Sequence, residues 1–379
     1  MFPPSTTASN PEETTICNSA KRLKITFLLP GAGHTPVGGF KVAYEYANHL
    51  SRRGHQVTVV HPASLRVDGG TRNRARSTFR YLYRKGNNSY KPDSWFQIDP
   101  AVRLLWVPSL SEQNIPDGEV VIATAWQTAE WAAKYPDAKG RRFYLVQQLE
   151  TWHGEEDRVY ATWKAPLKKI VISEWLRDLA HTWGEECWYI PNGLDFQKFW
   201  LTNPVEKRDP HSVMMLYHSA ADKGSADGLK ALSLVHGQES SLRVTLFGTP
   251  KIPDHLPDWA QYHRQPKQEA LRDLYNRHAI FVTPSWTEGW ALPPAEAMTC
   301  GAALAATDIG GHHGYAIHER TAMLSPAKSP ELLAQNILRL MRDDSLRLTL
   351  AKSGHDYVQQ FTWERSVQQM EEVILSDDS

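Results

Sequence analysis

Cysteine is scarce in this chain: Cys17, Cys187 and Cys300 are the three among 379 residues. An odd number, far apart and outside any metal-ligand spacing, argues against a disulfide framework and for a reducing compartment. An excess of one charge is also missing. Forty-two basic residues balance 42 acidic ones, so nothing global points to nucleic acid as a partner. No apolar run reaches bilayer-spanning length. The first twenty residues, rich in Ser, Thr and Pro, lack the charged-then-apolar order of a signal peptide, and residues 1–20 are expected to be a disordered tail. An Asp-x-Asp pair at a strand end is absent as well. Asp343-Asp344 and Asp377-Asp378 fall in helical or tail contexts, so neither a metal nor any other cofactor is expected. Residues 31–39, G-A-G-H-T-P-V-G-G, do not make G-x-G-x-x-G, and no acidic residue follows at the required distance, which argues against a dehydrogenase.

What is present describes a globular protein that is 41% hydrophobic and 22% charged. Its length suits two α/β domains better than one. Fourteen tryptophans are many; their faces suit sugar stacking, although most are expected to serve packing. The segment 24–30 (KITFLLP) reads as a buried strand, 40–53 as a helix with Val42, Ala43, Tyr46, Ala47 and Leu50 at helical spacing, and 55–61 as the next strand. That βαβ opening predicts a parallel doubly wound sheet. Strands are predicted at 102–107, 120–124, 143–147 and 169–172, with helices at 126–135 and 174–183. Ser173 is expected to cap the second of these helices. Ile190-Pro191-Asn192-Gly193-Leu194-Asp195 has linker chemistry. A second series follows: strands at 213–217, 243–247, 280–283 and 302–306, helices at 225–235, 268–277 and 330–342, and a terminal helix at 363–374.

The most informative stretch is 279–311, AIFVTPSWTEGWALPPAEAMTCGAALAATDIGG, which reads as strand, loop, helix, strand, loop. Glu288 and Glu296 stand at either end of seven intervening residues, and carboxylates accept well from paired hydroxyls. A helix starting near Pro293 would offer unpaired N–H groups and a positive dipole end to a diphosphate. Gly289 would let the backbone approach a ligand. Glu288 could hold a sugar and Glu296 a ribose.

The pattern P-S-x-x-E-G-x-x-L-P-x-x-E-A-M-x-x-G, filled by Pro284, Ser285, Glu288, Gly289, Leu292, Pro293, Glu296, Ala297, Met298 and Gly301, followed by Gly310-Gly311, resembles the donor signature of family 4 retaining glycosyltransferases. The resemblance spans roughly residue 23 to the end and is better in the second half. It implies an α/β GT-B architecture: two Rossmann-like doubly wound domains facing each other across a cleft. Residues 21–190 would form the N-terminal acceptor domain, 191–355 the C-terminal nucleotide-sugar donor domain, and 356–379 a helix returning to the first domain. The implied activity is a metal-independent hexosyl or deoxyhexosyl transferase that retains anomeric configuration, moving sugar from a nucleoside diphosphate to a glycan or lipid-linked acceptor in polysaccharide or glycoconjugate biosynthesis.

Residue by residue, the resemblance gives Lys223 to the diphosphate and, with Glu288, to catalysis. Where the family carries an arginine five residues earlier, this chain has His218. That departure keeps open a sugar-nucleotide-binding protein without transfer, beside an epimerase-type GT-B enzyme. Phe247, Gly248, Trp290, Ala291 and Leu292 would line the donor site, the segment 262–265 would lie near the base, and Gly38-Gly39 would bring backbone to the phosphate. Trp126, Gln147, Glu150 and Trp152 would face the acceptor, with an indirect hydrogen-bonding role equally open for Gln147 and Glu150. The stretch 71–91 carries Arg72, Arg74, Arg76, Arg80, Arg84 and Lys85 among Phe79, Tyr81 and Tyr83, and no acid. It suits an anionic membrane surface or a phosphorylated lipid-linked acceptor, or else a solvated, mobile loop over the acceptor cleft. The location implied is cytoplasmic, with a peripheral membrane contact in the first of these cases.

Overall fold

The computed structural model describes residues 21–65, 71–151, 155–252 and 256–376, without the side chains of 71–77. Two parallel sheets organise them. The first is built from β1 (Lys24–Leu28), β2 (Gln56–Ser64), β3 (Arg103–Ser109), β4 (Val120–Ala123), β5 (Arg141–Val146), β6 (Lys168–Val171) and β7 (Cys187–Tyr189), in the order β3-β2-β1-β4-β5-β6-β7. The second holds β8 (Ser212–Leu216), β9 (Arg243–Gly248), β10 (Ala260–Arg264), β11 (Ile280–Thr283), β12 (Ala303–Thr307) and β13 (Ala322–Ser325), in the order β10-β9-β8-β11-β12-β13. Every pairing is parallel.

The central strands are almost entirely apolar because helices cover both faces. β4 (VVIA), β11 (IFVT) and β12 (ALAAT) are buried at every position. The first sheet's helices are α1 (Gly38–Arg52), α2 (Thr71–Asn87), α3 (Trp126–Ala132), α4 (Glu156–Trp163) and α5 (Glu174–Thr182). The second sheet's are α6 (Ser225–His236), α7 (Gln268–Arg277), α8 (Leu292–Thr299), the single turn α9 (Gly310–His313), α10 (Pro330–Arg342) and α11 (Asp344–Val358). The final helix, α12 (Trp363–Leu375), leaves the second sheet and packs on α1. There the Tyr46 ring meets the edge of Trp363 at 5.3 Å. Buried His55 lies 2.8 Å from Glu371, whose other oxygen accepts from Arg53.

Several expectations change. The basic stretch is largely the helix α2, not a loop. It contains no acid, and one face rests on β2 and β3, so packing rather than propensity settles its conformation. Ser173 has extended N-cap geometry, but its side chain makes no capping bond and its Oγ is buried without a partner. The segment 262–265 belongs mostly to the edge strand β10. α4 and α11 were not anticipated.

Arg208 ties the entry to the second domain. Only 5% exposed, it donates to the carbonyls of Asn203 (2.9 Å), His278 (3.0 Å), Tyr275 (3.3 Å) and Cys300. Burial lowers its pKa to about 10. Arg208→Met strands these acceptors in the interior and is expected to cost about 3 kcal/mol, read as a lower urea midpoint.

Candidate functional site

In open parallel sheets, ligands sit beyond the strand C-termini where the strand order reverses. The two sheets place that point between β1 and β4, and between β8 and β11. The loops leaving β8 and β11 carry His218, Lys223, Ser285 and Glu288. Leu216, Lys223, Thr283, Ser285, Glu288, Ala291, Pro293 and Pro294 are among the residues that line a shallow depression there.

Lys223 closes a 3-10 turn (Ala221–Lys223) whose next residue, Gly224, is left-handed at φ 63°. A side chain there would meet the Pro284 carbonyl at 2.0 Å, so glycine alone lets the β8 loop lie against the β11 loop. That fit places Lys223 Nζ 2.8 Å from Glu288 Oε2, while Ser285 Oγ donates to Glu288 Oε1 at 2.9 Å. Ser285 belongs to the sequence pattern, and the P-S-x-x-E spacing is the signal for its place beside Glu288.

His218 stands beside this group but does not supply a second cation. Its Nδ1 accepts from the Ala220 N–H at 3.0 Å, and burial together with Lys223 lowers its pKa. At neutral pH it is a neutral imidazole whose proton is on Nε2.

The start of α8 also differs from expectation. Its first residues are Leu292, Pro293 and Pro294, and the N–H of the N-cap, Ala291, bonds to Gly311 O at 3.3 Å. Prolines have no N–H, so of the first three helical residues only Leu292 offers a donor, beside the dipole end. Gly289 does not face open space. A Cβ there would fall 1.7 Å from the Gln147 carbonyl oxygen of the first domain, and Gly289 O accepts from Trp175 Nε1 at 3.1 Å. Its missing side chain serves domain contact.

Trp290 is 4% exposed and packs edge-on against Tyr315 (4.9 Å) and Phe361 (5.6 Å), so it props the loop from the core instead of lining the depression. Phe247 is likewise buried, against Tyr275 and Phe281, and Gly248 lies under the Tyr217 carbonyl. Leu292 is largely buried, and Ala291 lines the depression. Glu296 is 6% exposed and is bonded to Lys41 of α1 at 2.5 Å. Lys41, 255 residues away in sequence, carried no signal that reasoning on the sequence could use.

On the first domain, Gln147 Nε2 donates to Gly39 O at 3.1 Å and holds the Gly38-Gly39 start of α1, while Gln148 Nε2 reaches Thr287 Oγ1 across the domains at 3.4 Å. Glu150 Oε2 accepts from the Trp126 N–H at 2.8 Å. The Trp126 ring is 5% exposed and covered by the Arg158 guanidinium at 4.6 Å. Trp152 lies outside the described residues, as do the side chains of Arg72, Arg74 and Arg76.

Burial raises the Glu150 pKa to about 7. A carboxyl raised above its unfolded value holds its proton in the native state, so stability falls as pH climbs from the ordinary carboxylate range to about 7 and then levels. Melting temperatures measured between pH 5 and pH 8 should show that decline; Glu150→Gln, which still accepts from Trp126, should flatten it.

Among the described residues, no group of three or more His, Cys, Asp or Glu could hold a metal ion, and no helix is long and apolar enough to cross a membrane. Comparison with solved structures defines the class. The chain superposes on Anabaena HepE in complex with UDP-glucose with a TM-score of 0.71 at 15% identity, covering 93% of this chain and 99% of that one. Sucrose-phosphate synthase from Thermosynechococcus elongatus gives 0.69 at 17% identity, covering 93% and 98%. The fold is GT-B, two Rossmann-like parallel-sheet domains. Residues 213–343, which carry His218, Lys223, Glu288 and Glu296, match the family described as Glycosyl transferases group 1.

Among curated proteins, an uncharacterized glycosyltransferase of Methanocaldococcus jannaschii is 30% identical over 111 residues, 29% of this chain and 32% of that protein. A D-inositol 3-phosphate glycosyltransferase of Salinispora arenicola is 30% identical over 172 residues, 45% and 35% of the two chains. The matched part is thus about a third of the length of these relatives.

Proposed function

We propose that this protein is a retaining glycosyltransferase of family 4 that moves a hexosyl or deoxyhexosyl unit from a nucleoside diphosphate to an acceptor hydroxyl, in glycan or glycoconjugate synthesis. One observation carries the reading: the Lys223–Glu288–Ser285 cluster stands at the strand-order reversal of the very segment that matches the glycosyltransferase family. Lys223 meets charge on the leaving diphosphate, supported by the dipole end of α8 and the His218 Nε2–H. Glu288 accepts from sugar hydroxyls and Glu296 from the ribose. The bond from the anomeric carbon to the diphosphate breaks, the acceptor oxygen bonds on the same face, and its proton passes to the departing phosphate oxygen. No protein base and no metal takes part. Gln147, Glu150 and Trp126 shape the acceptor side through the contacts described above.

A thermal-shift panel with UDP, GDP, ADP, CMP and dTDP tests the donor site, because a ligand that binds only the native state raises the melting point. One diphosphate should give a shift that Glu296→Ala and Lys223→Ala both reduce. An epimerase would instead convert the sugar nucleotide without acceptor, and a non-catalytic protein would bind it without turnover.

The proposal includes a cytoplasmic site of action at a membrane surface. α2 exposes Phe79 (71%), Leu82 (59%) and Tyr83 (62%) beside Arg80 and Arg84, an apolar and cationic combination suited to anionic lipid. Replacing Arg72, Arg74, Arg76, Arg80 and Arg84 by glutamine should weaken sedimentation with phosphatidylserine vesicles by about 10-fold or more, at about 1 kcal/mol per basic residue near the surface. Undiminished sedimentation would remove the membrane part alone.

A further inference from the structure

Glu288, the carboxylate given to the donor sugar, has both of its chain neighbours held by the first domain. On one side Thr287 Oγ1 accepts from Gln148 Nε2 at 3.4 Å; on the other the Gly289 carbonyl accepts from Trp175 Nε1 at 3.1 Å. Trp175 lies in the first turn of α5. Its ring also fills the space that Gly310 leaves at the start of α9, where a Cβ would fall 2.4 Å from the Trp175 Cγ. The next residue, Gly311, packs on Glu288 itself: a Cβ there would meet the Glu288 carbonyl oxygen at 2.3 Å and its Cβ at 2.5 Å. α9 is bonded back to the same carboxylate. Buried His312 donates from Nδ1 to the Thr307 carbonyl at 2.8 Å, the Thr307 hydroxyl donates to the Ser285 carbonyl at 2.5 Å, and Ser285 Oγ donates to Glu288. One indole of the first domain thus touches both segments that enclose Glu288.

Lys223 and Ser285 orient the two oxygens of Glu288 from within the second domain, but the backbone that carries the carboxylate is tied to the first. A binding group has to be held to within about 0.5 Å of its productive place, so a neighbour that fixes the backbone beside it controls its use. We propose that Trp175 is a positioning residue for the donor sugar: through the Gly289 carbonyl and Gly310 it lets the first domain set where Glu288 points. The sugar end of the donor site is then complete only while the two domains are in contact. The nucleotide end, given to Lys223 and Glu296 of the second domain, does not need the indole. This inference rests on the reading of Glu288 as the sugar-binding carboxylate.

Calorimetric titration of the full chain with UDP, GDP and ADP, each alone and as its glucose and mannose derivatives, tests this on wild type, Trp175→Phe and Trp175→Ala, with melting curves beside it. Trp175→Phe keeps a ring against Gly310 and loses the Nε1–H. It should bind the accepted diphosphate as wild type does and its sugar derivative about 5-fold more weakly, the scale of one hydrogen bond. Trp175→Ala, which also empties the ring's place, should weaken the sugar derivative further, still sparing the diphosphate, and melt lower. A strut between the domains would lower the melting point and leave both affinities unchanged, and a residue that shapes the whole loop would weaken diphosphate and sugar derivative equally. Either result, or unchanged affinities at an unchanged melting point, overturns the inference while wild-type binding leaves the donor reading standing. If wild type binds none of these probes, the donor reading falls and takes the inference with it.

Discussion

Lys223→Ala should lower transfer by about 100- to 1000-fold in kcat, the usual loss when a fixed donor aimed at developing charge is removed. Lys223 supplies the cationic side chain among the residues lining the depression, and the His218 imidazole, neutral at physiological pH, cannot take its place. The loss should be functional rather than structural. The lysine and Glu288 side chains are 24% and 15% exposed, and a partly hydrated pair of this kind contributes only about 1 kcal/mol or less to folding. Steady-state rates beside melting curves separate the two effects: activity collapses while the melting temperature moves by a few degrees. Lys223→Arg should recover part of the rate. Equal loss of stability and activity would make the lysine a structural residue.

Gly289→Ala should cost about 100-fold in transfer, without touching any group that does chemistry. The new methyl would fall 1.7 Å from the Gln147 carbonyl oxygen, a backbone atom of the opposite domain that cannot swing aside. The loop and the first domain must separate, straining the Trp175–Gly289 hydrogen bond and the Gln148–Thr287 contact beside it. A displacement near 1 Å between donor and acceptor sides is enough for such a loss. Nucleotide affinity depends mainly on the second domain and should change far less than kcat. Comparing the dissociation constant with kcat for Gly289→Ala checks this. An undisturbed kcat would mean that the contact opens freely during turnover.

Much of the architecture was legible because hydrophobic period and turn chemistry act locally. KITFLLP followed by a glycine-bearing loop and an amphipathic helix can scarcely form anything but the β1-α1 opening. The β11–loop–α8 segment was readable for the same reason, and the structure brings its Ser285 and Glu288 beside Lys223 of the β8 loop. What is not local depends on distant chain. Trp290 and Phe247 carry the pattern of ligand-lining residues, but their neighbours, Tyr315 and Phe361 for one and Tyr275 and Phe281 for the other, enclose them. Gly289 reads locally as space for a ligand, because nothing nearby in sequence discloses that Gln147 fills that space. α11 is not legible in the sequence because its polar composition hides its contacts: Arg347 is buried, bonded to Asp344 and the Leu340 carbonyl, and a Cβ on Gly354 would fall 2.8 Å from the Met298 methyl.

Lys223 and Glu288 are proposed to hold the nucleoside diphosphate from which the sugar is transferred. The most direct test is incubation of the purified chain with a panel of nucleoside diphosphate sugars and candidate acceptors, following nucleoside diphosphate release and the anomeric proton of the product by NMR. Release should depend on acceptor and come from one donor, the product should keep the donor's anomeric configuration, and both signals should be lost in Lys223→Ala. A folded protein that inverts the configuration, or that converts the donor with no acceptor present, would contradict the proposed retaining transfer.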